Sequence, residues 1–217
     1  MYHCNEINEK MTMALAHEVK NPVSLIKAHI ELLELDKELS GYKSNINIIK
    51  RELNKISDII SDFMLFYKPE NSIKEINIIP IIKEIMERFK IYSKKNIKFS
   101  LVLECNKDEF NINLQDIKIS MLFNNIYKNA VESIKNKEGH IITKIYILNN
   151  RPTIDIIDDG EGLKNHSLQD IKKPFVTYKK GGTGFGIVIC ESILNDIGGK
   201  FEIFNNKDKG CTVRLTF

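Results

Sequence analysis

The sequence predicts an α+β chain in which an antiparallel two-helix hairpin precedes a two-layer α/β sandwich. Three observations point there. Two amphipathic stripes fill the N-terminal part, Pro69 opens a polar stretch, and beyond it helical and strand patterns mix without a regular βαβ alternation. That mixture favours helices on one face of a mixed sheet over a doubly wound fold. A length of 217 residues fits one large or two small domains, and 42% hydrophobic with 28% charged residues is the make-up of a globular chain.

The first stripe runs through Ile7, Met11, Ala14, Leu25, Ala28, Leu32 and Leu35, interrupted by Glu18 and Asn21. Its alternating spacing of three and four is that of an amphipathic helix. Gly41 to Ser44 breaks it. A second stripe follows at Ile46, Ile49, Leu53, Ile56, Ile60, Phe63 and Tyr67. Two helices alone cannot cover both stripes, so a partner is required: a second copy, making a four-helix bundle, or the chain's own second domain.

Pro69 ends the second helix, and Glu70 to Glu75 reads as a linker. Pro80 to Lys90 then reads as a helix, and Ile97, Phe99, Leu101 and Leu103 alternate like a half-buried strand. Asp116 to Ile134 is helical in pattern, and strand signals return at Ile141 to Leu148 and Thr153 to Ile157. A glycine-rich stretch leads into a helix from Phe185 to Ile197, ended by Gly198 and Gly199. The strands Lys200 to Phe204 and Cys211 to Phe217 close the domain.

Charge excludes little by its total, since 32 basic and 29 acidic residues leave +3. Its distribution says more: Lys is interleaved with Glu, Asp and Asn, unlike the clustered basic face of a nucleic-acid binder. No apolar run approaches the ~18 residues of a membrane span, and MYHCNEINEK lacks the blocks of a signal peptide, so a cytoplasmic location is expected. Cys4, Cys105, Cys190 and Cys211 form no CxxC pair and read as reduced thiols.

Four constellations could carry chemistry. His17-Glu18-Val19-Lys20-Asn21-Pro22 resembles the helical zinc motif only until Asn21 takes the place of the second histidine. What remains is a histidine whose neutral imidazole could act as a nucleophile with Glu18 taking its proton, or an ordinary surface histidine beside a glutamate. Pro22 inside a helical pattern costs about 3 kcal/mol unless something else requires it. Asn125 and Asn129 stand four apart on one helix face, where neutral carbonyl oxygens could complete a Mg²⁺ shell, or simply face solvent.

Asp158-Asp159-Gly160-Glu161-Gly162 follows directly on a strand. A buried carboxylate there could accept from an exocyclic amine and so select adenine, while a calcium-like acidic loop or a plain turn fits the same residues. Gly181-Gly182-Thr183-Gly184-Phe185-Gly186 enters a helix, where backbone amides suit phosphates, though a hinge would look alike. It is neither a P-loop nor a dinucleotide fingerprint.

The order of the set is specific. His17-Glu18-x-x-Asn21-Pro22, Asn125-x-x-x-Asn129-Ala130, Asp158-x-Gly160-x-Gly162 and Gly182-x-Gly184-x-Gly186 resemble the H, N, G1 and G2 boxes of bacterial sensor histidine kinases. Lys173-Pro174-Phe175-Val176-Thr177 resembles their F box, and the Asn-Ile-x-Lys-Asn-Ala phrasing is similar to kinases of sporulating Gram-positive bacteria. The resemblance covers nearly the whole chain.

It implies a dimerisation and histidine phosphotransfer hairpin at residues 1–68, a linker at 69–76, and at 77–217 an ATP-binding domain of the GHKL (Bergerat) sandwich type. It also implies autophosphorylation of His17 from ATP with Glu18 as general base, then transfer to an aspartate on a response-regulator receiver domain. Asn21 would position water for the reverse, phosphatase reaction. Asn129 would ligate Mg²⁺ with Asn125 nearby, Asp158 would read the adenine amine, and Gly160 and Gly162 would admit the base. Gly182, Thr183, Gly184 and Gly186 would accommodate the phosphates, with Lys128, Phe175 and Thr177 also at the nucleotide, beneath a lid spanning Leu163 to Lys180.

Related hydrolytic ATPases and serine kinases carry Glu where this chain has Asn125, so a base for activating water is missing. The alternative reading is a dimeric relay or nucleotide-binding module without autokinase activity. Asp159, Phe185 and Ser120 depart from the usual Asn, Leu and Gln without removing a ligand. With no sensor, transmembrane or receiver segment in the sequence, either a part of a longer kinase or a soluble kinase controlled from outside is expected.

Overall fold

The computed structural model describes residues 19–21, 23–33, 42–66, 73–93, 96–104, 110–135, 138–163, 171, 176, 184 and 186–217. They fall into two compact units, one drawn from Met1–Pro69 with Thr177–Phe185, the other from Glu70–Val176 with Gly186–Phe217.

In the first unit, residues 19–21 and 23–33 are helical (α1), and Lys43–Phe66 forms a second helix (α2). Their seam differs from the expected stripe. Val23 and Ile30 bury in one cluster with Ile46 and Leu53, while Leu25 and Leu32 are each 61% exposed. The segment from Val23 to Leu33 carries apolar residues at 23, 25, 26, 28, 30, 32 and 33, so several helical faces satisfy the period and packing chooses among them. On α2, Ile46, Leu53 and Ile60 are buried, whereas Ile49 and Ile56 are exposed. The hairpin therefore consumes one apolar row of α2 and leaves a second open.

The second unit begins earlier than the linker reading allows. Lys74–Asn77 is a strand (β1), antiparallel to a further strand, Asn111–Leu114 (β3), that the pattern did not reveal. Four residues are too short to show a period, and the pairing is non-local. Asn77 ends β1 and caps the next helix, its Oδ1 accepting from the Ile79 amide at 3.1 Å. That cap starts α3 (Ile78–Tyr92) ahead of the expected Pro80, which sits in the first turn where no amide is needed.

The main sheet has the order β2-β4-β5-β7-β6, from Asn96–Leu103 (β2), Glu138–Leu148 (β4), Arg151–Asp158 (β5), Lys200–Asn205 (β6) and Cys211–Thr216 (β7). The β2–β4 pair is parallel and the others antiparallel, as a mixed sheet requires. Asn149 and Asn150 turn β4 into β5 with φ of 50° and 62°, the conformation of a two-residue hairpin that asparagine tolerates. Helix α4 (Asp116–Ser133) packs against α3, β5 and a last helix, α5 (Gly186–Asp196), giving the two layers.

Alternation along β5 decides where chemistry can sit. Ile154, Ile156 and Asp158 pair in register with Ile145, Thr143 and Ile141 on the helix-covered face. Asp155 points to the other face, where Arg214 donates to both its oxygens at 2.8 and 2.7 Å. Tyr146 adds a hydrogen bond to the same carboxylate at 3.1 Å. The Asp155 hydrogen bonds hold the Arg214 guanidinium above its ordinary pKa, and burial with the Asp155 charge raises that of the Tyr146 phenol.

Candidate nucleotide site

Helix α4 is pinned by its apolar side. Phe123, Ile126, Tyr127 and Ala130 are buried, and the Tyr127 hydroxyl is hydrogen-bonded to Thr143 Oγ1 on β4. Burial pushes the Tyr127 phenol far above its usual pKa, so it stays neutral. With those side chains committed to the sheet, Asn125 and Asn129 are half-buried and Lys128 is exposed. Spacing of four continues this row to Ser133, which the sequence reading did not include.

The two ends of that row meet different elements. A Cβ placed on Gly186 would lie 3.1 Å from Asn125 Oδ1, so α5 starts directly against that amide. At the other end the Ser133 hydroxyl lies 2.9 Å from Asp158 Oδ1 and 2.7 Å from the Ala130 carbonyl. Asp158 is 4% exposed, and its Oδ1 also accepts from the Gly160 amide at 2.9 Å. The Cys211 thiol donates to Oδ2 at 3.1 Å. Among the described residues no cation touches this carboxylate.

The loop after Asp158 is braced from two sides. A side chain at Gly160 would put Cβ 1.9 Å from Ser133 Oγ, so the Ser133 contact exists only because residue 160 has none. Gly162 has φ +66°, and a Cβ there would meet Asn205 Oδ1 at 2.8 Å. Asn205 Oδ1 itself accepts the Leu163 amide at 2.7 Å, and Asn206 Nδ2 donates to the Asp158 carbonyl at 2.9 Å. Asp159 turns away: its Oδ1 accepts from the His140 amide at 2.9 Å and its own amide donates back to the His140 carbonyl. Its side chain is thus tied to the β4 backbone.

Asn125, Asn129, Asp158, Gly160, Gly162 and Gly186 accordingly lie in the second unit, on α4, the loop after β5 and the first residue of α5. Gly184 has φ +70° and is half-buried, and Asn21 is an exposed helical residue of the first unit. His17, Glu18, Phe175, Thr177, Gly182, Thr183 and most of the lid segment lie outside the described residues, as does Pro22. The supports that motif reading missed are Ser133, Cys211, Asn205 and Asn206. Only Ser133 left a trace in sequence, as the next member of the i, i+4 series.

Chemically the arrangement offers a buried carboxylate held by neutral donors, a row of neutral amide oxygens, and a helix start. These suit, in that order, an amine on a base, a hard cation and an anion. Among the described residues no group of three or more His, Cys, Asp or Glu side chains is placed to hold a metal. No described helix is long and apolar enough to cross a membrane.

Comparison with known proteins agrees with this geometry. Residues 115–217 match the family of histidine kinase-, DNA gyrase B- and HSP90-like ATPases, and residues 7–72 match the His Kinase A (phospho-acceptor) domain. Sporulation kinase D of Bacillus subtilis (strain 168) is 31% identical over 97% of this chain and 42% of its own length. Sporulation kinase A of the same organism is 28% identical over 97% of the chain and 35% of its own length. The chain thus spans less than half the length of these relatives. The crystal structure of full-length ShkA in complex with AMPPNP superposes with a TM-score of 0.70 at 18% identity, over 95% of this chain and 45% of that one, and shares the fold. With a phospho-acceptor domain matched ahead of an ATPase domain, each on the segment whose motifs and structure call for it, the chain belongs to the histidine kinases.

Proposed function

We propose that the chain is the core of a two-component kinase: it moves the γ-phosphoryl group of ATP onto His17 and then to an aspartate of a response-regulator receiver domain. The observation that carries the ATP half is Asp158. It is a buried carboxylate whose partners among the described residues are neutral, at one end of an α4 face whose other end meets the start of α5. From Asn125 to Ser133 that face rises about 12 Å, a separation suited to a base at one end and phosphates at the other.

In this reading Asp158 accepts the adenine amine, and Gly160 and Gly162 leave room for the base. The α5 start with Gly182, Thr183, Gly184 and Gly186 receives the phosphates, Lys128 adds positive charge, and Phe175 and Thr177 complete the surround. Asn129, with Asn125 beside it, would hold Mg²⁺, since neutral oxygens suit a hard cation already facing phosphates. The ion, when bound, neutralises charge on the transferring phosphoryl group. His17 attacks through its neutral imidazole while Glu18 takes the proton, and Asn21 orients water for the reverse reaction.

The reading carries an architecture with it: a phosphotransfer hairpin at residues 1–68, a linker that ends before β1, an ATP-binding domain that takes in Lys74–Asn77 and runs to residue 217, and a cytoplasmic setting. A homodimer is supported by the open row of Leu25, Leu32, Ile49 and Ile56, each exposed on the hairpin and each at the spacing of a bundle seam.

The test is incubation of the purified protein with Mg²⁺ and γ-labelled ATP. Label that survives base, is lost in acid, and is absent from His17→Gln is the expected result. Label retained in His17→Gln sinks the assignment of the phosphoacceptor. ATP binding without label in the unaltered protein indicates the relay or binding module instead.

A further inference from the structure

We infer that Ser133 is a positioning residue that decides which oxygen of Asp158 meets the base, with Cys211 guarding the other. The inference rests on the reading that Asp158 accepts the adenine amine, and goes on to say how the chain makes that acceptance selective.

A carboxylate has two oxygens and four lone-pair sites, and a ligand amine takes whichever site is still open. Oδ1 of Asp158 receives the Gly160 amide at 2.9 Å and has the Ser133 hydroxyl at 2.9 Å, whose single proton is shared with the Ala130 carbonyl, so two donor groups converge on that oxygen. Oδ2 receives only the Cys211 thiol at 3.1 Å, a weak donor. Oδ2 is therefore the oxygen with acceptor strength to spare.

The serine is held in place. Its hydroxyl is also within 2.7 Å of the Ala130 carbonyl one helical turn back, so the side chain is fixed on α4 and cannot swing to another rotamer without losing both partners. Gly160 closes the arrangement, because a Cβ there would stand 1.9 Å from Ser133 Oγ. Ser133, the loop glycine and the carboxylate thus interlock, and none of the three faces a compensating cation among the described residues. Asp158 is clamped at Oδ1 so that Oδ2 keeps one direction. An adenine amine donates to it, whereas a base with a carbonyl in that place presents oxygen to oxygen.

The clamp is tested on the full chain by comparing affinities for ATP and for ITP, which carries a carbonyl where ATP carries the amine. Ser133→Ala is expected to weaken ATP about tenfold while ITP changes less than about twofold, because the lost donor served a charged acceptor. Ser133→Thr keeps the hydroxyl and should keep the ATP-to-ITP ratio within about twofold. Cys211→Ser puts a stronger donor on Oδ2 and should lower the ratio several-fold by competing with the amine.

Asp158→Asn is the control, expected to erase the preference for ATP. Equal losses for both nucleotides in Ser133→Ala, or an unchanged ratio while Asp158→Asn erases it, overturns the positioning role and leaves the adenine reading standing. A ratio unchanged or raised in Cys211→Ser overturns the assignment of Oδ2. A wild-type ratio in Asp158→Asn removes the adenine reading itself, and this inference with it.

Discussion

Asp155 and Asp158 lie on the same strand, are buried to nearly the same degree (6% and 4% exposed), and face opposite sides of the sheet. Asp155 is answered by a bidentate arginine and a tyrosine hydroxyl, so its charge and its lone pairs are spent inside the protein. Asp158 is answered by a hydroxyl, a backbone amide and a thiol. Burying a carboxylate costs several kcal/mol unless it is paired, and among the described residues only the first aspartate is repaid by a cation. The kind of partner is what separates the two, and it is why the proposed reading gives a ligand to Asp158 and not to Asp155.

The sharpest way to break that contrast is to delete each carboxylate in turn. Asp158→Ala should weaken ATP by about a hundredfold, corresponding to about 3 kcal/mol for a charged acceptor, with little loss of thermal stability; titration calorimetry beside a melting curve separates the two. Asp155→Ala should do the reverse. It leaves Arg214 half-desolvated without its partner and should lower unfolding free energy by about 2 kcal/mol in a denaturant titration, with ATP affinity unchanged within about twofold. Exchange of these two outcomes would refute the division of labour.

A smaller effect sharpens the support under the site face. Tyr127→Phe removes the bond to Thr143 and should cost about 1 kcal/mol. Because burial raises the Tyr127 pKa, the folded state keeps a proton that the unfolded chain sheds above its ordinary value near 10. Stability supplied by the neutral phenol is therefore complete below about pH 10 and lost as pH rises beyond it. Denaturant titrations from pH 9 to 11 should show a shallower decline for Tyr127→Phe than for the unaltered chain.

How much of this was legible depended on whether a residue's role was local. Asp158, Asn125 and Asn129 could be named because a strand end and a helix face are readable from neighbouring residues. Ser133 extends the same helix row, yet nothing in its surroundings says that a loop far along the chain comes to meet it. Cys211, Asn205 and Asn206 act through the pairing of β6 with β7 and its contact with the loop after β5, which no spacing encodes. The hairpin shows the same limit. The apolar period announced α1 and α2, but seven apolar residues within 23–33 left the seam to tertiary packing, which took Val23 and Ile30 and left Leu25 and Leu32 outside. Strands β1 and β3 are each other's reason for existing, and four residues apiece are too few to announce it.

The brace on Asp158 also has a direction in time. Its carbonyl is held from Asn206 and its Oδ2 from Cys211, separated from it by 48 and 53 positions of chain. A nascent polypeptide that has left the ribosome only as far as β5 possesses the Asp158 carboxylate but neither of these holds. The brace is thus completed only once β6 and β7 have been made, and on the proposed reading a product of translation interrupted before them is born without its ATP site.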